Sequence, residues 1–260
     1  MNNINFQEKI STALLLAAGT GSRLGSLTDD LPKCLTEVNG TPILQQLVHS
    51  LEVHNFKRLV VVVGHQEQCI REHLSAIAGE MTIEYITSPV YKTTNNIYSL
   101  WLARDVIKEP FLLIESDLIF KPSLLEDMLT PDKIAVSHIK PWMNGTTITT
   151  DSYTSHRVSA FNMGLNLESN ERNFKTVNMY SFSQQTWRQI TTRLDNYISA
   201  GKVKAYYESV FAEMVADGSL DLECVFFEKD SWYEIDTLED LHECELLFQS
   251  SGSDGALLSL

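Results

Sequence analysis

The segment Leu14–Gly25 reads LLLAAGTGSRLG, an apolar run that enters a glycine turn with an arginine inside it. Such a turn can aim backbone N–H groups at an anion. Arg23 adds a forked donor suited to phosphoryl oxygens. Downstream, Pro32 stiffens the chain just before Lys33, whose ammonium could reach the same anion. Other anion-binding patterns fit less well. The third glycine, Gly25, comes one residue late for the dinucleotide fingerprint, Arg23 fills the crowded region, and the acid expected about 20 residues on has no clean match. No G-K-[ST] follows, so this is not a Walker loop. The chemistry expected of Gly19–Gly25 with Lys33 is therefore the holding of a polyphosphate.

Three acids complete the set. Glu115 and Asp117 close the apolar run Phe111–Ile114 and, being two residues apart, share a side in extended chain. Asp236 closes a second run, WYEID. Two carboxylates from separate strands, here Asp117 and Asp236, could share Mg2+ with phosphate oxygens, because magnesium favours hard oxygen ligands and keeps several waters. Glu115 is the weaker candidate, orienting water or facing solvent.

These residues need strands and helices to position them. Apolar runs at Thr12–Leu16, Leu59–Val63, Thr82–Ile86, Phe111–Ile114 and Lys133–Ser137 read as strands, several of them buried on both faces. Between them, helices are expected over Thr41–His54, capped by Thr41 with Pro42 first, and over Glu67–Ala78 and Asn95–Val106, with a short one at Pro122–Met128. The second half is less regular, with short strands at Thr146–Thr150, Arg157–Asn162, Thr176–Ser181 and Trp232–Asp236. Helices are expected at Ser183–Ala200 and Tyr206–Ala216. A last helix begins at Thr237, where Asp240 allows a capping box. The order implies an α/β three-layer sandwich with a mostly parallel mixed sheet and right-handed crossovers. Ligands of such sheets sit at the carboxyl ends of the strands. Those ends are Ala17–Gly25, Gly64–His65, Pro89–Asn96 and Glu115–Asp117. One domain over residues 1–249, with acceptor-binding insertions in its second half, and a flexible tail over 250–260 are expected.

The chain has 260 residues and a formal net charge of -14, which disfavours a broad nucleic-acid surface while leaving room for a local basic pocket. Cys34, Cys69, Cys224 and Cys244 have neither zinc spacing nor a C-x-x-C pair, and read as free thiols in a reducing compartment. No signal-peptide pattern opens the chain, and its apolar runs are too short to cross a bilayer. A cytoplasmic protein without membrane insertion is the expectation, with monomer and homodimer both open.

The stretch LLLAAGTGSRLGSLTDDLPKCLTEVNGTPIL resembles the signature of MobA-like and sugar-phosphate nucleotidyltransferases. Their pattern L-A-A-G-x-G-x-R, a spacer and P-K stands here as Leu16–Gly19, Gly21, Arg23, Pro32 and Lys33. Resemblance to the LicC-like branch, which includes phosphocholine and phosphonate cytidylyltransferases, continues through TTNNIYSLWLARD, LLIESDLIF and WYEIDTLEDL. It spans roughly Thr12 to Phe248, with a looser middle. The resemblance implies a Rossmann-like, GT-A-like nucleotidyltransferase fold. It implies a CTP donor whose phosphates and base meet Leu16, Ala17, Ala18, Gly19, Thr20, Gly21, Ser22, Arg23 and Lys33, with His65 and Thr94 at the nucleotide's border. Arg23, Lys33, Asp117 and Asp236 would be catalytic, the two acids holding Mg2+.

The partner implied is a small phosphomonoester or phosphonate, of phosphocholine, aminoalkyl- or hydroxyalkylphosphonate type. Asn95, Asn96 and Ser99 are expected to touch it, with Lys92 near the same loop. Tyr207 and Glu208 would meet an amino or ammonium headgroup. Tyr98 and Trp101, three residues apart on one helix face, read as packing. Two alternatives stay open: a sugar-1-phosphate enzyme using another triphosphate, and a nucleotide-binding protein without catalysis.

Overall fold

The computed structural model describes residues 9–140, 143–154, 156–164, 172–228 and 230–249. The expected tail over 250–260 lies outside them. Among these residues a 9-stranded sheet forms the middle layer. Strand β1 (Thr12–Ala17) is central. Two short strands, β2 (Glu37–Val38) and β3 (Thr41–Pro42), form a hairpin, followed by helix α1 (Ile43–Val53), β4 (Arg58–Val63), α2 (Glu67–Ile77), β5 (Thr82–Thr87), α3 (Asn96–Leu102) and β6 (Phe111–Glu115). The second half adds β7 (Leu118–Phe120), β8 (Lys133–His138), β9 (Thr147–Thr150), β10 (Val158–Asn162) and β11 (Asn173–Phe182). After these come α4 (Gln184–Ser199), α5 (Glu208–Ala216), β12 (Glu223–Phe226), β13 (Trp232–Glu234) and α6 (Leu238–Gln249).

Period-two alternation sends successive residues of one strand into opposite cores. Leu14 and Leu16 of β1 join Val60, Val62 and Leu113 on the face covered by α3, α4 and α5. Ala13, Leu15 and Ala17 join Leu59, Val61 and Ile114 on the face covered by α1 and α2. Both faces of β1 are apolar because both are covered. The expected three layers are present.

The sheet is mixed. β6, β1, β4 and β5 pair in parallel, and β12 pairs in parallel with β8. β11 runs antiparallel to β6, β8 and β9. The chain leaves β1 for β4 and β5, then returns to the other flank of β1 as β6. That reversal opens a crevice beyond the carboxyl ends of β1 and β6, where α/β sheets bind ligands.

Three local expectations change. Thr41 does not cap α1: Thr41–Pro42 pairs with Glu37–Val38, and the helix starts at Ile43. Pro42 lacks an N–H, and its extended ψ of 141° suits a strand end. The long helix expected over Asn95–Val106 is α3 followed by a 3-10 turn at Ala103–Asp105. The strand expected over Trp232–Asp236 stops at Glu234 and pairs with β7 in a separate two-stranded ribbon. The capping box at the last helix holds: Asp240 Oδ2 accepts from Thr237 N–H at 2.8 Å, and Asp240 N–H donates back to Thr237 Oγ1 at 3.1 Å.

Candidate active site

The glycine turn after β1 is shaped by its contact with Lys33. Gly21 has φ 64°, a left-handed conformation that favours glycine. A Cβ there would lie 2.9 Å from Lys33 Cβ, so the missing side chain is what lets the two segments touch. Leu24 N–H and the Thr28 hydroxyl both donate to Gly21 carbonyl oxygen at 3.0 Å, which closes the turn. Leu24 is fully buried with Val38, Ile43, Ile119, Ile235 and Cys244. This small core fastens the turn to the ribbon and leaves Arg23 outside.

The ribbon brings the two acids together. In the β7–β13 ladder Glu234 faces Leu118, and beyond it Ile235 N–H donates to Asp117 carbonyl oxygen at 3.0 Å. Asp236 is thereby held beside Asp117. Its own N–H donates to Asp240 Oδ2 at 3.1 Å. Lys33 Nζ lies 2.7 Å from Asp117 Oδ2 and 2.7 Å from Asp236 Oδ1, and Arg23 reaches the same Asp236 oxygen at 2.7 Å. Burial by itself would lower the Lys33 pKa, but the attraction and hydrogen bonds of Asp117 and Asp236 outweigh it and hold it above its ordinary value. Two cations and two anions meet at one spot.

The fit of these residues to magnesium rests on the donor set. Asp117 Oδ1 is buried and has no hydrogen-bond partner. An oxygen in that condition calls for a proton donor or a cation. Two carboxylates suit an ion that completes its shell with phosphate oxygens and water. Among the described residues no group of three or more His, Cys, Asp or Glu forms a cage of protein ligands alone. Asp117 and Asp236 would hold such an ion only together with a ligand's oxygens.

A cleft of about 450 Å³ opens above these groups. Leu16 through Arg23, with Lys33 and Cys34, form one wall; Tyr91, Lys92, Thr94, Asn95, Asn96 and Ser99 form another; Glu115, Ser116, Asp117, Tyr206 and Asp236 complete it. Most residues singled out in the sequence therefore meet. Within the cleft, some are already engaged. Asn95 caps α3, its side chain accepting from Asn96 N–H at 2.8 Å, and the Thr94 hydroxyl donates to Val90 carbonyl oxygen at 3.0 Å. Asn96 bridges inward, donating to Glu115 Oε1 and accepting from Tyr207 N–H.

His65, Tyr207 and Glu208 are not among the residues lining the cleft. His65 supports the glycine turn from behind: its N–H donates to Ala18 carbonyl oxygen, and its Nε2 lies 3.2 Å from Thr28 carbonyl oxygen, which can only accept. Gly64 permits this approach, since a Cβ there would sit 2.8 Å from Ala18 carbonyl oxygen and 2.8 Å from Tyr91 Cγ. Tyr207 is fully buried and Glu208 nearly so, behind Asn96 and Glu115. Burial pushes the Glu115 carboxyl upward, with Asp117 and Glu208 adding repulsion, and burial pushes Glu208 up to about 7. Sequence parity explains the neighbourhood, since Glu115 follows Phe111 and Leu113 on the α3–α5 side of β6.

Tyr91, Cys34, Ser116 and Tyr206 line the cleft without having been singled out as site residues. Tyr206 carries no local signal that sets it apart from Tyr207: it precedes a helix that buries its next two residues and is itself 57% exposed. Tyr98 and Trp101 pack together at 5.2 Å between ring centres, and the Trp101 indole donates to Asp195, in line with the packing reading. The four cysteines are free thiols. No helix among the described residues is long and apolar enough to cross a membrane.

Similarity to known proteins extends over both halves of the chain. A family model described as a MobA-like NTP transferase domain matches residues 13–142. CMP-5'-(3-aminopropyl)phosphonate synthase of Streptomyces rubellomurinus is 30% identical over 91% of this chain; the chain spans 38% of that protein's length. Choline-phosphate cytidylyltransferase of Streptococcus pneumoniae is 21% identical over 92% of this chain and 98% of its own. The solved structure of the CTP:phosphocholine cytidylyltransferase LicC from Streptococcus pneumoniae superposes with a TM-score of 0.79 at 20% identity, covering 93% of this chain and 100% of that one. At that identity the superposition shows the fold: an α/β, Rossmann-like nucleotidyltransferase architecture with a mixed sheet.

Proposed function

This chain belongs to the MobA-like NTP transferase family and is a nucleotidyltransferase, and within that class we propose that it is a magnesium-dependent cytidylyltransferase. It would move CMP from CTP to a small phosphonate or phosphomonoester and release pyrophosphate. The observation that carries this reading is the meeting of the glycine turn, Arg23, Lys33, Asp117 and Asp236 at the floor of one cleft, with Lys92, Asn96, Ser99 and Tyr206 on the facing walls. Support for cytidine and for a phosphonate or choline-type acceptor comes from the two relatives that match along most of the chain.

The chain's own residues divide the work. The end of β1 and the turn after it, Leu16 to Ser22, would hold the nucleotide, the glycine turn offering backbone N–H groups to its phosphates. Arg23 and Lys33 neutralise the charge that grows on the departing pyrophosphate. Asp117 and Asp236 would hold the divalent ion, whose contribution when bound would be Lewis-acid neutralisation of phosphate charge. The acceptor oxygen is already ionised near neutral pH, so no general base is needed. It bonds to the α-phosphorus as the bond from that phosphorus to the bridging oxygen breaks, and the electron pair leaves with pyrophosphate. The wall of Lys92, Asn96, Ser99 and Tyr206 fixes the approach of the two reactants.

The test is a matrix of CTP, UTP, ATP and GTP against phosphocholine, phosphoethanolamine, aminoalkyl- and hydroxyalkylphosphonates and hexose 1-phosphates, reading pyrophosphate release. CTP with a phosphonate or phosphocholine-type acceptor is the expected productive pair. Turnover only with UTP and a hexose phosphate would replace this reading, and no release with any pair would remove it.

A further inference from the structure

Lys33 sits where a metal ion would be expected to sit. Its Nζ lies 2.7 Å from one oxygen of Asp117 and 2.7 Å from one oxygen of Asp236, and its side chain is only 13% exposed. Arg23 reaches the same Asp236 oxygen. The two carboxylates proposed to hold the metal are thus already neutralised by the two cations proposed to hold the triphosphate. A bare divalent ion entering here would face an ammonium at contact distance and would have to displace it into a cleft where, among the described residues, the one further lining carboxyl is Glu115, already bonded to Asn96. A triphosphate changes that balance, since it offers Lys33 and Arg23 new anionic partners within reach of their flexible stems.

We propose that Lys33 is an internal counter-cation that closes the Asp117–Asp236 pair to divalent metal until the donor's polyphosphate draws its ammonium away. Metal and nucleotide then bind as a coupled pair. By linkage, each tightens the other by the same factor. The free protein has little affinity for the metal alone, and the site's selectivity is for a metal–polyphosphate, whichever base is attached. Asp117 Oδ1, buried without a partner, is the oxygen left waiting in the closed state. This inference rests on the proposed metal role of Asp117 and Asp236.

The experiment titrates the nucleotide-free protein with Mn2+, following bound ion by electron paramagnetic resonance and the fold by circular dichroism. The wild type should show no saturable binding. Lys33→Met should bind Mn2+ at least about tenfold more tightly than the wild type, and adding Asp117→Asn to that variant should abolish the gain. In a parallel titration of the wild type, CTP should bind more tightly with Mg2+ than without it. Saturable Mn2+ binding by the wild type alone, which needs no variant, overturns the inference. So does a folded Lys33→Met whose Mn2+ isotherm matches the wild type. The broader reading fails separately, when CTP affinity in the wild type is unchanged by Mg2+.

Discussion

The side-chain amide of Asn96 donates to Glu115 Oε1 across 3.1 Å. The same amide's oxygen accepts from Tyr207 N–H at 3.1 Å, so one residue ties the end of β6 to the turn that carries Tyr206 over the cleft. Asn96→Ala should leave Tyr207 N–H without a partner, at about 1–3 kcal/mol, and let the turn shift. We expect the acceptor KM to rise severalfold while the CTP KM stays near its wild-type value. Steady-state kinetics with each substrate varied in turn checks this, and equal changes in both constants would refute the link.

Asp117→Asn and Asp236→Asn keep size and shape; each removes one of the two charges facing Lys33, and Asp236→Asn also removes the carboxylate paired with Arg23. Magnesium supplies several kcal/mol of charge stabilisation in such reactions, so each variant should lose at least about a hundredfold in kcat/KM. Circular dichroism should show the wild-type fold. Magnesium-dependent turnover that survives in both variants would remove the metal assignment.

Gly21 and Gly19 should respond differently to alanine. A methyl at Gly21 meets Lys33 Cβ in a backbone conformation that L-residues rarely adopt, whereas the space around Gly19 is open to 4 Å. Gly21→Ala should lower the melting temperature, by about 1–2 kcal/mol in stability. Gly19→Ala should leave it near wild type. Paired thermal melts decide the point.

Glu208 gives a pH dependence of definite sign. Burial raises its folded-state pKa from 4.5 to about 7, so between those values the native protein binds more protons than the unfolded chain. Stability must therefore fall as pH rises through that window. Glu115, raised by burial, acts in the same direction, while His73, lowered by burial, acts in the opposite one. Glu208→Gln removes one ionisation and should flatten the fall, gaining on the order of 2–3 kcal/mol at pH 8 relative to its effect at pH 5. Denaturant unfolding at the two pH values measures it. A parallel offset at both would show that Glu208 does not ionise in this range.

Local chemistry carried much of the site in the amino-acid sequence itself. The glycine turn, Arg23 and the Pro32–Lys33 step are contiguous, and their residue types specify conformation and charge wherever the chain runs. Glu115 and Asp117 follow an apolar run whose length and composition mark a buried strand, so their place at its carboxyl end was legible too. The alternation of apolar runs with helical spacing was enough for an α/β sandwich.

Pairing and facing were decided only in three dimensions. Nothing local in WYEID says that it pairs with Leu118–Phe120, yet that ladder sets Asp236 beside Asp117. The adjacent tyrosines Tyr206 and Tyr207 look alike in sequence, but the start of α5 turns one toward the cleft and the other into the core, with Glu208 behind it. His65 likewise became a support for the turn because Gly64 lets it approach Ala18. The physical reason is common to all three. Residue type and spacing dictate backbone geometry and charge over a few residues, whereas register and packing against distant segments dictate which face a side chain meets.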